Sequence, residues 1–222
     1  MRTSHMRNLI LTLVIAAFGV VGSAHAGIIT VFNNFGPGNA YDPSQGRPIG
    51  TGVDDVFAVP FTPGVNSSLS SLLLPLTGEA APVQTSGNIF VSVLKDDGSN
   101  LPCCTVLETF IVDSTTLSTF GGPPVTLASV VKPFLSSGTQ YWVEVGPTPS
   151  NGGVYATWNW PSPHVVGPEW SSMNGISNGV TTEFQAALQV NGTVPEPKTL
   201  ALFTFGAIAL AFFSPRLRRR KG

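Results

Sequence analysis

Few side chains in this 222-residue chain are suited to making or breaking bonds. His164, in Pro161-Ser162-Pro163-His164, is the only histidine beyond His25. A hydrolytic triad would need that imidazole between a nucleophile and an orienting carboxylate, both supplied from elsewhere. No H-E-x-x-H or P-loop occurs. A lone histidine in a Pro-rich loop reads as a solvated side chain, so no catalytic residue is assigned. Acidic residues adjoin twice, at Asp54-Asp55 and Asp96-Asp97. Glycosidases need two carboxyls facing each other across a cleft, whereas neighbours in one strand point to opposite faces. Asp96-Asp97-Gly98-Ser99 reads as a hairpin turn, Asp-Gly being suited to positive φ. A surface Ca²⁺ site at Asp96 and Asp97 is the alternative, because Ca²⁺ takes carboxylate oxygens from loops. The spacing fits neither an EF-hand loop nor an RTX repeat. No other metal and no cofactor is expected.

Cys103 and Cys104 are adjacent. Their Cα atoms stand only about 3.8 Å apart, short of the usual disulfide range. Buried thiols, a strained vicinal bridge and intermolecular bridging all remain open. Without further Cys or a nearby His, zinc is not expected. The aromatics concentrate late, at Tyr141, Trp142, Tyr155, Trp158, Trp160 and Trp170. Trp158 and Trp160 share a face with Val154 and Ala156 and read as core. Trp142 alternates with Tyr141, Val143 and Val145 and stands with Gln140 and Glu144. If Tyr141 is inside, Trp142 is outside. Trp142 and Trp170 are therefore the candidate sugar-stacking platform, weighed against ordinary packing of a large apolar ring.

Positioning these residues falls to strands. Gly and Pro are dense, charges are sparse, and no window keeps a helical period. Nine strands are predicted: Ile28–Phe32, Val53–Phe61, Leu69–Leu76, Asn88–Lys95, Thr105–Val112, Val125–Val131, Gln140–Val145, Val154–Trp160 and Glu183–Val190. The clearest alternation is in the last, where Phe184, Ala186, Leu188 and Val190 share a face. Pro60 and Pro75 fit edge strands or strand ends. Long loops are expected over Gly146–Gly153 and Pro161–Gly179. The fold class is all-β, a β-sandwich with jelly-roll-like topology, with a single barrel as the alternative.

The two ends have a different character. Arg2 and Arg7, the apolar Leu9–Val21 and the small-residue site Ala24-His25-Ala26 make residues 1–26 a secretory signal peptide. The ectodomain then spans residues 27–193. It holds three basic residues (Arg47, Lys95, Lys132) against eleven acidic ones, a net charge of −8 with histidine neutral. Such a domain is a poor binder of phosphate backbones, and no nucleic acid partner is expected. Residues 194–222 begin with Val194-Pro195-Glu196-Pro197, which is extended by its prolines. A charge-free run, Leu200–Phe213, follows within a predicted helix over 199–215. Then come Arg216, Arg218, Arg219, Arg220 and Lys221, which do not cross a bilayer cheaply. The run is short for a span, at about 21 Å against roughly 30 Å of hydrocarbon. Lys198 and Arg216 can snorkel to extend it, and a marginal span suits a transient anchor.

Motif, apolar helix and basic end in that order resemble the PEP-CTERM sorting signal of Gram-negative bacteria. The signal peptide implies export with cleavage by signal peptidase, and the tail implies transient anchoring in the inner membrane; the resemblance adds the tail's processing. It further implies recognition by an exosortase with cleavage near Val194–Pro197, then delivery to the outer surface or extracellular matrix. A second resemblance runs through most of the ectodomain. Asn33-Asn34-Phe35-Gly36, Leu69-Ser70-Ser71-Leu72 after the Phe61 strand, Asp97-Gly98 after Val91-Ser92-Val93, and Ser137-Gly138-Thr139-Gln140-Tyr141-Trp142 look like the choice-of-anchor β-sandwich domains. Pro102-Cys103-Cys104 departs from their pattern. Together these features predict an exported, non-catalytic protein with a structural or adhesive role at the surface or in the matrix, near exopolysaccharide. A carbohydrate-binding module and a secreted hydrolase are the other readings.

Overall fold

The computed structural model describes residues 27–50, 55–78, 87–119, 121–148, 155–173 and 175–194. The predicted signal peptide with Ala24 and Ala26 lies outside them. So does the tail from Pro195, with Glu196, Pro197, Arg216, Arg218, Arg219, Arg220 and Lys221. The described chain is all-β. Its strands are β1 (Gly27–Asn33), β2 (Tyr41–Gly50), β3 (Val56–Phe61), β4 (Ser67–Leu74), β5 (Leu76–Gly78), β6 (Asn88–Asp96), β7 (Pro102–Asp113), β8 (Val125–Ala128), β9 (Phe134–Leu135), β10 (Tyr141–Pro147), β11 (Tyr155–Pro161), β12 (Val166–Met173), β13 (Ile176–Phe184) and β14 (Gln189–Val194). The only helical turns among the described residues are two short 3₁₀ segments. No helix among them is long and apolar enough to cross a membrane.

The strands form three sheets, in keeping with a β-sandwich. One orders β1-β14-β4-β8, with β9 also on β4; the second is β13-β12-β3-β10-β6-β7; the third is β2-β11-β5. All three contribute to one apolar core. Leu69, Leu72 and Leu74 enter it from the first, Val59, Val91 and Val143 from the second, Ile49 and Trp158 from the third. Within β3, β6 and β10 the core residues alternate, as in Phe57, Val59 and Phe61 or Tyr141, Val143 and Val145, which is what a half-buried sheet requires. Pro75 is a switch point. It separates β4 from β5, so the single strand expected over Leu69–Leu76 serves two sheets, and its carbonyl accepts from Asn159 N at 2.9 Å. Pro60 lies past the stretch of β3 that β12 pairs, Val56–Ala58, where no second neighbour asks for its missing N–H.

Four strands escape the sequence reading, the two-residue β9 among them. β2 (sequence YDPSQGRPIG) is built from turn residues and is extended because β11 pairs it from Tyr155↔Gly50 to Pro161↔Tyr41. β12 and the start of β13, which pair as a hairpin, lie inside the stretch expected to be loop. Conversely, the strand expected over Glu183–Val190 is broken. Residues 185–188 cross between sheets, and their backbone groups find separate partners. Gln185 N donates to Val165 O, Ala186 N to Glu169 Oε2, Ala187 N to Asn159 O and Leu188 N to Asn34 Oδ1. Asn34 Nδ2 in turn donates to Ala186 O at 3.0 Å. Ala186, Ala187 and Leu188 are all fully buried, so the apolar alternation reflects burial on every side rather than one wet face.

The expected Asp-Gly hairpin joins β6 to β7, with Gly98 at φ 89°. Cys103 and Cys104 both fall in β7. Cys104 is exposed, so of the three readings the buried thiol does not hold at that position.

Candidate functional site

The expected platform at Trp142 is absent. Trp142 does stand on the opposite face of β10 from Tyr141, but both are buried, at 0% and 2% exposure. The outer face of the six-stranded sheet carries its own small cluster of Ala58, Leu94 and Trp142, with Trp170 and Val180 packed on it. The register explains this, since Trp170 pairs with Ala58 and Val180 with Trp170. Trp170 is half-buried, and its indole N–H donates to Ser177 Oγ at 3.0 Å.

Asp96 and Asp97 build the turn. Asp96 Oδ1 accepts from Gly98 N (2.7 Å) and Asn100 N (3.3 Å); Oδ2 accepts from Trp142 Nε1 (2.9 Å) and Gln140 Nε2 (3.0 Å). Asp97 Oδ1 accepts from Ser99 N and Leu101 N. Burial opposes the Asp96 charge, but the bonds from Trp142, the two amides and Gln140 outweigh it and hold the carboxyl below its usual range. These oxygens already face N–H donors, a poor setting for a cation. Among the described residues no three His, Cys, Asp or Glu side chains converge as metal ligands.

A different cluster forms where the three-stranded sheet meets the β12–β13 hairpin. Arg47 of β2 lies between Glu169 of β12 and Glu183 of β13. Its Nε is 2.5 Å from Glu169 Oε1, an ion pair by distance rather than an aligned hydrogen bond. Its Nη2 donates to Glu183 Oε2 at 2.6 Å and to Phe184 O at 3.2 Å. The guanidinium also lies 5.5 Å from the Phe57 ring and 5.8 Å from the Trp160 ring. Glu169 is 1% exposed. Desolvation pushes its carboxyl up to about 7, against the opposing pull of Arg47 and the Ala186 amide.

Trp160 is aimed here by a β-bulge. The β11–β2 register slips between Asn159 and Pro161, so Trp160 leaves the face that sends Trp158 into the core. That overturns the expectation that the two share a core face. Trp158 is fully buried, with its indole N–H on Ala187 O at 2.8 Å. Trp160 is half-buried, and its indole nitrogen has no hydrogen-bond partner among the described residues. The Trp160, His164 and Phe184 rings pack with centroids 5.0–5.2 Å apart. His164 Nε2 is 3.2 Å from Asp42 Oδ2, and Asp42 is fixed from behind by Ser44 N and Oγ. Those Ser44 bonds, more than His164, hold the Asp42 carboxyl low. Among the described residues no hydroxyl bonds the His164 ring.

Arg47, Trp160, Val166, Thr182, Glu183 and Phe184 line an open cleft of about 380 Å³. It offers aromatic edges beside a charged, hydrogen-bonding wall. One signal in the sequence points to it: Arg47 is the only arginine in residues 27–193 and needs anionic partners within an acidic domain. No family model matches the chain, and no curated protein is similar to it.

Proposed function

We propose that this is an exported protein, sorted to the cell surface or extracellular matrix through its PEP-CTERM-like tail, whose jelly-roll-like ectodomain acts by binding rather than catalysis. Signal peptidase and an exosortase are its processing partners, the inner membrane its transient anchor, and surface polysaccharide its ligand class. The observation that carries the binding role is the cleft at Arg47, Trp160 and Phe184. Sugars present flat C–H faces with polar rims, and this cleft pairs aromatic rings with Glu183, Thr182 and Arg47 along one wall. Glu169, the carboxyl that titrates near neutrality, has a side chain 2% exposed and committed to Arg47, out of reach of a substrate. An aromatic contact contributes on the order of 1 kcal/mol, so one copy binds weakly and many copies on one surface bind through avidity.

The test is retention on the organism's own exopolysaccharide. Phe184→Ala should lower single-copy affinity about fivefold, the equivalent of that one contact, while Trp170→Ala, outside the cleft, should leave it unchanged. Equal retention of both variants and wild type would remove the cleft and leave a purely structural role. Hydrolysis of the polysaccharide, abolished in His164→Ala, would replace binding with catalysis by the His164–Asp42 pair.

A further inference from the structure

The segment between β8 and β9 is a rigid apolar knuckle. Ser129 N donates to Ser70 O at 2.8 Å and Pro133 O accepts from Leu69 N at 2.9 Å. Residues 130–132 are therefore pushed out from the edge of β4, with Lys132 at φ 53°. Glu108 of β7, only 6% exposed, holds the knuckle from inside. Its carboxylate accepts from Ser129 Oγ (2.5 Å), Val130 N (2.7 Å) and Val131 N (3.1 Å), and Ser129 Oγ accepts from Lys132 N (2.9 Å). A backbone so pinned cannot tuck its side chains away. Val130 is 87% exposed, Val131 65% and Phe134 58%.

Two further observations say what covers it. The first is charge. Of the ectodomain's three basic residues, Arg47 is taken by Glu169 and Glu183, while Lys132 is exposed within the apolar knuckle. An apolar tip with a flanking cation matches the interfacial layer of an anionic bilayer, which the rest of an acidic domain repels. The second is where the chain leaves. In the first sheet Thr193 pairs with Ser68, and Ser68 pairs with Phe134. At about 4.8 Å per strand, the start of the tail is roughly 10 Å from Phe134. Val194 and Leu200 are six residue steps apart, a span of at most roughly 20 Å.

We infer that the Val130–Phe134 knuckle is a membrane-surface contact, seated in the headgroup layer of the anionic bilayer that holds the C-terminal tail before cleavage. This rests on the tail being a membrane anchor. The contact would keep Val194–Pro197 at the bilayer surface, where a membrane-embedded processing enzyme reaches it.

The experiment places the full chain in phosphatidylethanolamine–phosphatidylglycerol vesicles carrying a lipid with a photoactivatable acyl chain, and maps the cross-links by mass spectrometry. Cross-links are expected on residues 130–134 as well as 200–213. Val130→Asp with Val131→Asp should cut the knuckle signal at least tenfold, leaving the tail signal and the thermal midpoint unchanged. Labelling of the tail alone would overturn the contact and spare the tail reading. Labelling of neither segment would overturn both. A knuckle signal undiminished in the double variant would rule out seating by these side chains.

Discussion

Trp142 donates its indole N–H to Asp96 Oδ2 at 2.9 Å, so the strand carrying the tryptophan and the turn carrying the aspartate hold one another. The bond converts the most exposed-looking aromatic of the sequence into a structural one. Trp142→Phe keeps an apolar ring but deprives a carboxylate of a donor, which should lower stability at pH 7 by about 2–3 kcal/mol. Asp96 has a lowered carboxyl in the folded protein, so its contribution is present above the ordinary carboxylate range and is lost as pH falls through its folded value. The penalty should therefore shrink in acid. Urea unfolding of both proteins at pH 7 and pH 3 measures this; a penalty equal at the two pH values would mean that ring volume, not the charged bond, is what Trp142 supplies.

Glu169 predicts the opposite dependence. Its carboxyl is raised from 4.5 to about 7 by desolvation. A raised folded value means the folded state holds a proton the unfolded chain has released. The stabilisation is complete below about pH 4.5, declines as pH rises toward 7 and is gone above it, with a slope of up to about 1.4 kcal/mol per pH unit. Glu169→Gln should flatten this limb. A wild-type curve that rises between pH 5 and 7, with the variant parallel to it, would contradict the assignment.

Processing offers a third outcome. Surface-released protein should begin near Gly27 and end at or near Val194–Pro197, where β14 stops. Intact-mass analysis decides it. A mature species retaining Arg216 to Lys221 would make the tail a permanent anchor and deny the exosortase a role.

How far the sequence discloses the fold depends on where each strand lies. β3, β6, β7 and β10 announce themselves because their alternating residues fill the core from one side. β2, β12 and β13 do not, because their residues are half-exposed or polar and their extension comes from a neighbour's ladder. Parity along β10 is legible, and Trp142 does oppose Tyr141. The cover supplied by Trp170 and Val180 is not, since it comes from a hairpin whose pairing partner is remote in sequence. The cleft escapes for a related reason. A bulge at Asn159/Pro161 turns Trp160 out of register, and Arg47 meets Glu169 and Glu183 across 122 and 136 residues of chain.

The Asn34 clasp has a consequence in time. Asn34 lies one residue beyond β1, and the groups it binds, Ala186 O and Leu188 N, lie 152 and 154 residues later. The crossing segment it holds also seals Trp158 and Glu169 into place. A chain whose first and last strands share one sheet cannot complete that sheet until its C-terminal part has emerged, and such long-range closure is intrinsically slow. The domain is thus obliged to remain incomplete until β14 has arrived; on the export route proposed above, its chain would cross the membrane before that closure.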